Sequence, residues 1–131
     1  MKISTSIISW ASKLQSIVTL STTEAEYIAA VQAAQEILWL RNLFTEFGYT
    51  FSTPSPLHID NQSALSVAKN PEHHGRMKHL DLRYYWLRDV VEAGQIDVCY
   101  LPTKSMPADI MTKALGRIKV QEMCELLGIR K

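Results

Sequence analysis

Three carboxylates, Glu24, Asp60 and Asp109, occupy positions from which they could share a cation. Glu24 follows Ser21-Thr22-Thr23 in the first turn of a predicted helix, and Asp60 closes the strand-like run Leu57-His58-Ile59. Asp109 lies two residues after Pro107, where another helix is predicted to begin. In an open α/β sheet the crevice beyond the carboxyl ends of the strands is where ligands bind. Carboxylates converging there supply only oxygen donors, a set suited to Mg²⁺ or Mn²⁺. Divalent ions in such a place can activate a water and stabilise the leaving oxygen of a phosphodiester. Each acid also has a structural reading. Ser21 and Glu24 form a capping box, in which each side chain satisfies an orphan backbone N–H. Asp60 can cap the helix that follows it, and Asp109 suits a helix dipole without any metal. Glu26 rivals Glu24, but two positions along a helix the side chains point about 200° apart, so only one can face a common site.

The elements that must position these acids follow from pattern and punctuation. Ile7 to Ser12 has β-branched and aromatic residues in partial alternation and reads as a short strand. The helix opened by Ser21 runs about 25 residues to Gly48, whose lack of a Cβ suits a left-handed stop. Tyr27, Val31, Ala34 and Leu38 recur at helical spacing and mark its buried face; Trp39 is also assigned to the core. Two prolines make Thr53-Pro54-Ser55-Pro56 a loop. A short helix from Asn61 or Gln62 ends at Asn70-Pro71. Leu80 to Ala93 is a further helix stopped by Gly94, and Gln95 to Leu101 alternates as a strand should. Pro107 opens a helix through Leu115, and Ile118–Leu127 forms a last amphipathic one. This order predicts an α/β fold with a parallel or mixed sheet covered by helices, in a single domain over residues 1–131.

Composition narrows the class. At 131 residues and 47% hydrophobic content, the chain can bury a core, which argues against wholesale disorder. A net charge of +1 provides no global field to steer a polyanion, so any nucleic-acid function must come from local placement. Residues 1–68 carry three basic and five acidic groups, and residues 69–131 carry eleven and eight. Cys99 and Cys124 are too few for a disulfide framework and read as free thiols of an intracellular protein, cytoplasmic or nuclear. No apolar run is long enough to span a membrane, and the N-terminus lacks the pattern of a cleaved signal peptide.

Four blocks carry a resemblance. Ser9-Trp10-Ala11-Ser12-Lys13-Leu14-Gln15 followed by Leu20-Ser21-Thr22-Thr23-Glu24-Ala25-Glu26-Tyr27-Ile28-Ala29-Ala30 resembles the ribonuclease H domain of copia-type retrotransposon polyproteins. Asp60-Asn61-Gln62-Ser63-Ala64 with Ala68-Lys69-Asn70-Pro71 resembles its second block, and Lys78-His79-Leu80-Asp81-Leu82-Arg83-Tyr84 its third. Leu101-Pro102-Thr103-Lys104 with Ala108-Asp109-Ile110-Met111-Thr112-Lys113 resembles the last, so the match covers about residues 9–115. The resemblance implies a ribonuclease H-like mixed sheet flanked by helices, and hydrolysis of the RNA strand of RNA–DNA hybrids with two Mg²⁺ or Mn²⁺ ions. It assigns catalytic and metal-binding roles to Glu24, Asp60 and Asp109.

The family's fourth carboxylate, an Asp shared by both metals, lies on a first strand upstream of the Ser-Trp-Ala-Ser block. Residues 1–23 contain no Asp or Glu. The expectation is a domain lacking its first two strands and the bridging ligand, with catalysis severely impaired. Its bared sheet edges are expected either to let the Trp10 strand move beside the Ile59 strand, or to drive homodimerisation or complementation by strand pairing.

His73-His74-Gly75-Arg76-Met77-Lys78-His79 is rich in hydrogen-bond donors. It reads as a surface that touches phosphates without reading sequence, or as an ordinary solvated loop. The residues expected to contact nucleic acid are Asn61, Gln62, Arg76, Lys78, His79, Arg83 and Lys104. A zinc site among the histidines lacks cysteine partners and a recognised spacing. Tyr84, Tyr85 and Trp86 are consecutive, so they fan around a helix and cannot form one stacking platform. The alternative to an enzyme is a non-catalytic nucleic-acid-binding or strand-pairing remnant, with salt-sensitive binding but no cleavage as its signature.

Overall fold

The computed structural model describes residues 1–3, 6–15, 18–19, 21–69 and 81–129. They form two compact units, one comprising Thr19–Tyr100 and the other Met1–Val18 with Leu101–Lys131. The elements are mixed α/β, with four α-helices among the described residues.

The Thr19–Tyr100 unit begins with helix α1, Thr22–Glu46. Ser21 is its N-cap, and the Ser21 Oγ accepts the Glu24 N–H at 3.2 Å. Gly48, at φ +86°, turns the chain out of the helix in a conformation that costs other residues dearly. Tyr27, Ile28, Val31, Ala34 and Ile37 are buried along one face. Ile37 takes the place expected of Leu38, which is half-buried. Trp39 departs from the expectation, being 56% exposed. Strand β3, Ser55–Ile59, pairs in parallel with β4, Ile96–Tyr100, in the register Leu57↔Val98. Leu57, Ile59, Ile96 and Val98 are buried, whereas Pro56, His58 and Asp97 are exposed. One sheet face is therefore packed and the other solvated.

Pro56 belongs to β3 rather than to the predicted loop. The Ser55 N–H donates to Gln95 O, so the alternation of the backbone turns the Pro56 nitrogen away from β4. With no ladder bond required of it there, proline is tolerated in the strand. The crossover from β3 to β4 contains α2, Gln62–Lys69, and α3, Asp81–Glu92. Ala64 and Ala68 of α2 and Leu87 and Val90 of α3 join the core. Full burial of a side chain such as Leu87 or Val90 stabilises a fold by about 1.5–3 kcal/mol.

Directions within this unit follow from its ties. Near the end of α1, Arg41 donates to Thr53 O at 3.1 Å and to Ser55 Oγ at 2.8 Å, which fixes that end beside the start of β3. At the end of α3, the Gln95 N–H bonds Val90 O just before β4. Both helices thus run back against the strands. Their N-termini lie toward the rim where β3 and β4 end.

In the other unit, β1 (Lys2–Ile3) and β2 (Ser6–Ile7) form a short antiparallel pair. The predicted strand through Ser12 is reduced to its first residues. Trp10 is 70% exposed and is not paired, and the parallel sheet consists of β3 and β4, so the expected move of the Trp10 strand beside Ile59 does not occur. The predicted helix from Pro107 to Leu115 is instead a 3₁₀ turn, Pro107–Met111, preceded by a second, Thr103–Ser105. Asp109 O takes both the Thr112 and Lys113 N–H groups, which closes the turn before an α-helix can propagate. Helix α4, Arg117–Leu127, buries Met123 and ends at Gly128 in the left-handed region. Lys2 Nζ donates to Leu126 O at 2.8 Å, tying the hairpin to α4.

Candidate active site

Glu24 is 1% exposed, and it is the one charged residue buried among those described. Glu26, two positions on, is exposed. The helix therefore sinks one of the rival carboxylates and leaves the other in water. Burying a carboxylate is costly unless other groups engage it. The Ser21 side chain holds the Glu24 backbone N–H, which fixes the first turn that carries this side chain.

Asp60 follows the last residue of β3 directly and is half-buried. Capping of α2 falls to its neighbour, since Asn61 Oδ1 accepts the Ala64 N–H at 3.0 Å. Gln62 is exposed in the first turn of α2. Glu24 and Asp60 both belong to the Thr19–Tyr100 unit, at helix and strand ends that point toward the same rim.

Asp109 belongs to the other unit, in the 3₁₀ turn after Pro107. Its side chain is 16% exposed and pairs with Lys113 Nζ at 2.8 Å. Lys104 is exposed and lines an open groove with Ser105, Lys119, Met123 and Leu126. Arg76, Lys78 and His79 lie outside the described residues, as does the side chain of Arg83. Among the described residues, no three His, Cys, Asp or Glu side chains gather within reach of one metal ion.

Two further groups were not singled out by motif. Arg88 places its guanidinium over the Tyr85 ring, 5.3 Å from the centroid. The one signal in the sequence is the i, i+3 spacing of these residues on a helix. Cys99 lies opposite His58 in the strand register and donates from Sγ to Asp97 Oδ2 at 3.4 Å. Burial pushes its thiol above the ordinary range. The hydrogen bond to Asp97 and the Asp97 charge add to this, and Lys69 opposes it. Such a thiol is a poor nucleophile.

Comparison with known proteins supplies what the geometry does not. The chain is 43% identical over 122 residues, 93% of its length, to the Retrovirus-related Pol polyprotein from transposon TNT 1-94 of Nicotiana tabacum. It is 38% and 36% identical over 124 residues, 95% of its length, to those from transposons RE2 and RE1 of Arabidopsis thaliana. These homologues are Pol polyproteins of plant retrotransposons. The chain spans 9% of the tobacco protein and 8% of each Arabidopsis one. No family model and no solved structure matches.

Proposed function

We propose that the chain is the ribonuclease H portion of a copia-type retrotransposon polyprotein, directed at the RNA strand of RNA–DNA hybrids. The observation that carries this reading is the burial of Glu24 beside an exposed Glu26, in a stretch whose homologues are retrotransposon Pol polyproteins. A carboxylate sunk at a helix start and another at a strand end, both toward one rim, suit a metal-assisted hydrolase. Asn61, next to Asp60, supplies the side-chain cap of α2.

The donor chemistry of Glu24, Asp60 and Asp109 fits Mg²⁺ or Mn²⁺, because all three offer hard oxygen ligands. Such ions, when bound, supply an activated water and offset charge on the leaving oxygen. The number of donors falls short of the four that the resemblance implies, since residues 1–23 contain no acid. Cleavage by these 131 residues alone is accordingly expected to be slow. Asn61, Gln62, Arg76, Lys78, His79, Arg83 and Lys104 are the groups proposed to face the hybrid, with contacts to phosphates rather than to base edges.

A second reading, strand complementation or homodimerisation, is favoured by the two-stranded sheet. A strand pair of this size is marginal without further strands, and β3 pairs with β4 on one side only among the described residues. Light scattering after gel filtration tests it; a monomer at all concentrations refutes the dimer.

A labelled RNA–DNA hybrid in Mg²⁺ or Mn²⁺ tests the main reading. Slow cleavage is expected, abolished by chelation and by Asp60→Asn. Cleavage unaffected by Glu24→Gln, Asp60→Asn and Asp109→Asn together would refute it. Robust multiple turnover by the pure chain would refute its weakness as a nuclease.

A further inference from the structure

Arg88 is anomalous among the cations of α3. Its Nε is buried and has no hydrogen-bond partner, although buried N–H groups in native proteins are nearly always paired. Asp89 is its neighbour and Glu92 lies four residues on, a spacing at which ion pairs usually form. Among the described residues, Arg88 pairs with neither. Its guanidinium instead reaches one turn toward the N-terminus of α3 and lies over the half-exposed ring of Tyr85. The ring holds the planar fork in one orientation, and among the described residues no carboxylate neutralises it.

A preorganised, unneutralised guanidinium offers two parallel N–H donors to a pair of phosphate oxygens. Its direction fits that ligand. The N-terminus of α3, toward which the guanidinium reaches, lies toward the rim where β3 ends at Asp60. From this we propose that Arg88, held by Tyr85, is a phosphodiester-binding residue that grips the backbone of the bound nucleic acid at the rim of the Thr19–Tyr100 unit. The inference rests on the hybrid-binding reading above and extends it to two residues that no motif assigns.

Fluorescence anisotropy with an end-labelled RNA–DNA hybrid, in EDTA and across 50–200 mM salt, tests this. Arg88→Met is expected to weaken binding about tenfold at the low-salt end, the scale of one charge-assisted hydrogen-bonded contact. It is also expected to lower the slope of log affinity against log salt by about 0.9, the signature of one lost phosphate contact and not of a merely structural change. Arg88→Lys is expected to recover the salt slope but little of the affinity, because an ammonium cannot present the fork. Tyr85→Leu is expected to keep the slope and lose part of the affinity. Thermal unfolding checks each variant, and the lysine variant carries the test if the methionine one does not fold. Wild-type affinity and slope in both Arg88 variants would overturn this inference while leaving the hybrid reading intact. Absence of salt-sensitive binding by the wild type would overturn both.

Discussion

The first turn of α1 carries both a structural device and the buried acid, and Ser21 separates the two. The Ser21 Oγ accepts the Glu24 N–H at 3.2 Å, satisfying one of the four orphan donors of a 25-residue helix. Ser21→Ala removes that acceptor and leaves a part-buried N–H without one, at a cost of about 1 kcal/mol. Ser21→Gly removes the same atom but adapts its backbone to the cap conformation, and is expected to cost only a few tenths of a kcal/mol, about a third of the alanine effect. For a chain of this size, about 1 kcal/mol corresponds to a drop in Tm of about 4 °C. Thermal unfolding followed by far-ultraviolet circular dichroism is therefore expected to rank the proteins wild type, then glycine, then alanine. An alanine variant as stable as the wild type would show that the cap contributes nothing. Alanine and glycine variants lowered equally would show that loss of the hydroxyl, and not cap geometry, sets the cost.

Leu87 is 0% exposed at the centre of the packing around α3, so Leu87→Ala is expected to cost about 2–5 kcal/mol and to lower the urea midpoint; a change below 1 kcal/mol would contradict the burial. In EDTA, the half-buried Asp60 carboxylate repels a phosphate at about 6 Å by about 0.7 kcal/mol in water, so Asp60→Asn is expected to bind the hybrid about threefold more tightly than wild type. Unchanged or weaker binding would place this acid away from the nucleic acid. Because burial and Asp97 hold the Cys99 thiol above the usual range, it is expected to react slowly with a chromogenic disulfide at pH 8 in a Cys124→Ser background. Asp97→Asn is expected to speed the reaction by removing acceptor and charge together, though not to the rate of a free thiol, since burial is the largest cause. A slower reaction in that variant would refute the assignment.

Local chemistry was legible where a single residue decides it. Ser21 as a cap, Gly48 and Gly94 as left-handed stops and the alternation of Ile96–Tyr100 all follow from side-chain size or hydrogen-bonding capacity. The reading failed where tertiary context decides. Trp39 has the hydrophobicity of a core residue but lies off the stripe set by Tyr27, Val31 and Ala34. Pro56 looks like a strand breaker until the register shows its nitrogen turned from β4. Pro107 is a good first residue for any helix, yet nothing in its neighbourhood distinguishes a 3₁₀ turn from an α-helix. For the candidate site, the sequence could name Glu24 and Glu26 as rivals but only burial separates them. Arg88 escaped notice because its distinguishing feature is a missing partner, which no one-dimensional pattern displays.

The polarity of the elements explains why opposite charges belong on one rim. Arg41 and Gln95 tie the C-terminal ends of α1 and α3 beside the strand starts, so each helix that packs back on the sheet begins toward the other end of it. Glu24 therefore enters the rim from a helix start and Asp60 from a strand end, while Arg88 leans toward it from α3. Two carboxylates by themselves would drive a phosphodiester away. A guanidinium that has forgone its own neighbouring acids keeps its charge for the incoming strand instead of spending it on Glu92. Under the proposed reading, Arg88 would draw a phosphodiester backbone in, and divalent ions held by the acids would offset the repulsion that Glu24 and Asp60 exert on it.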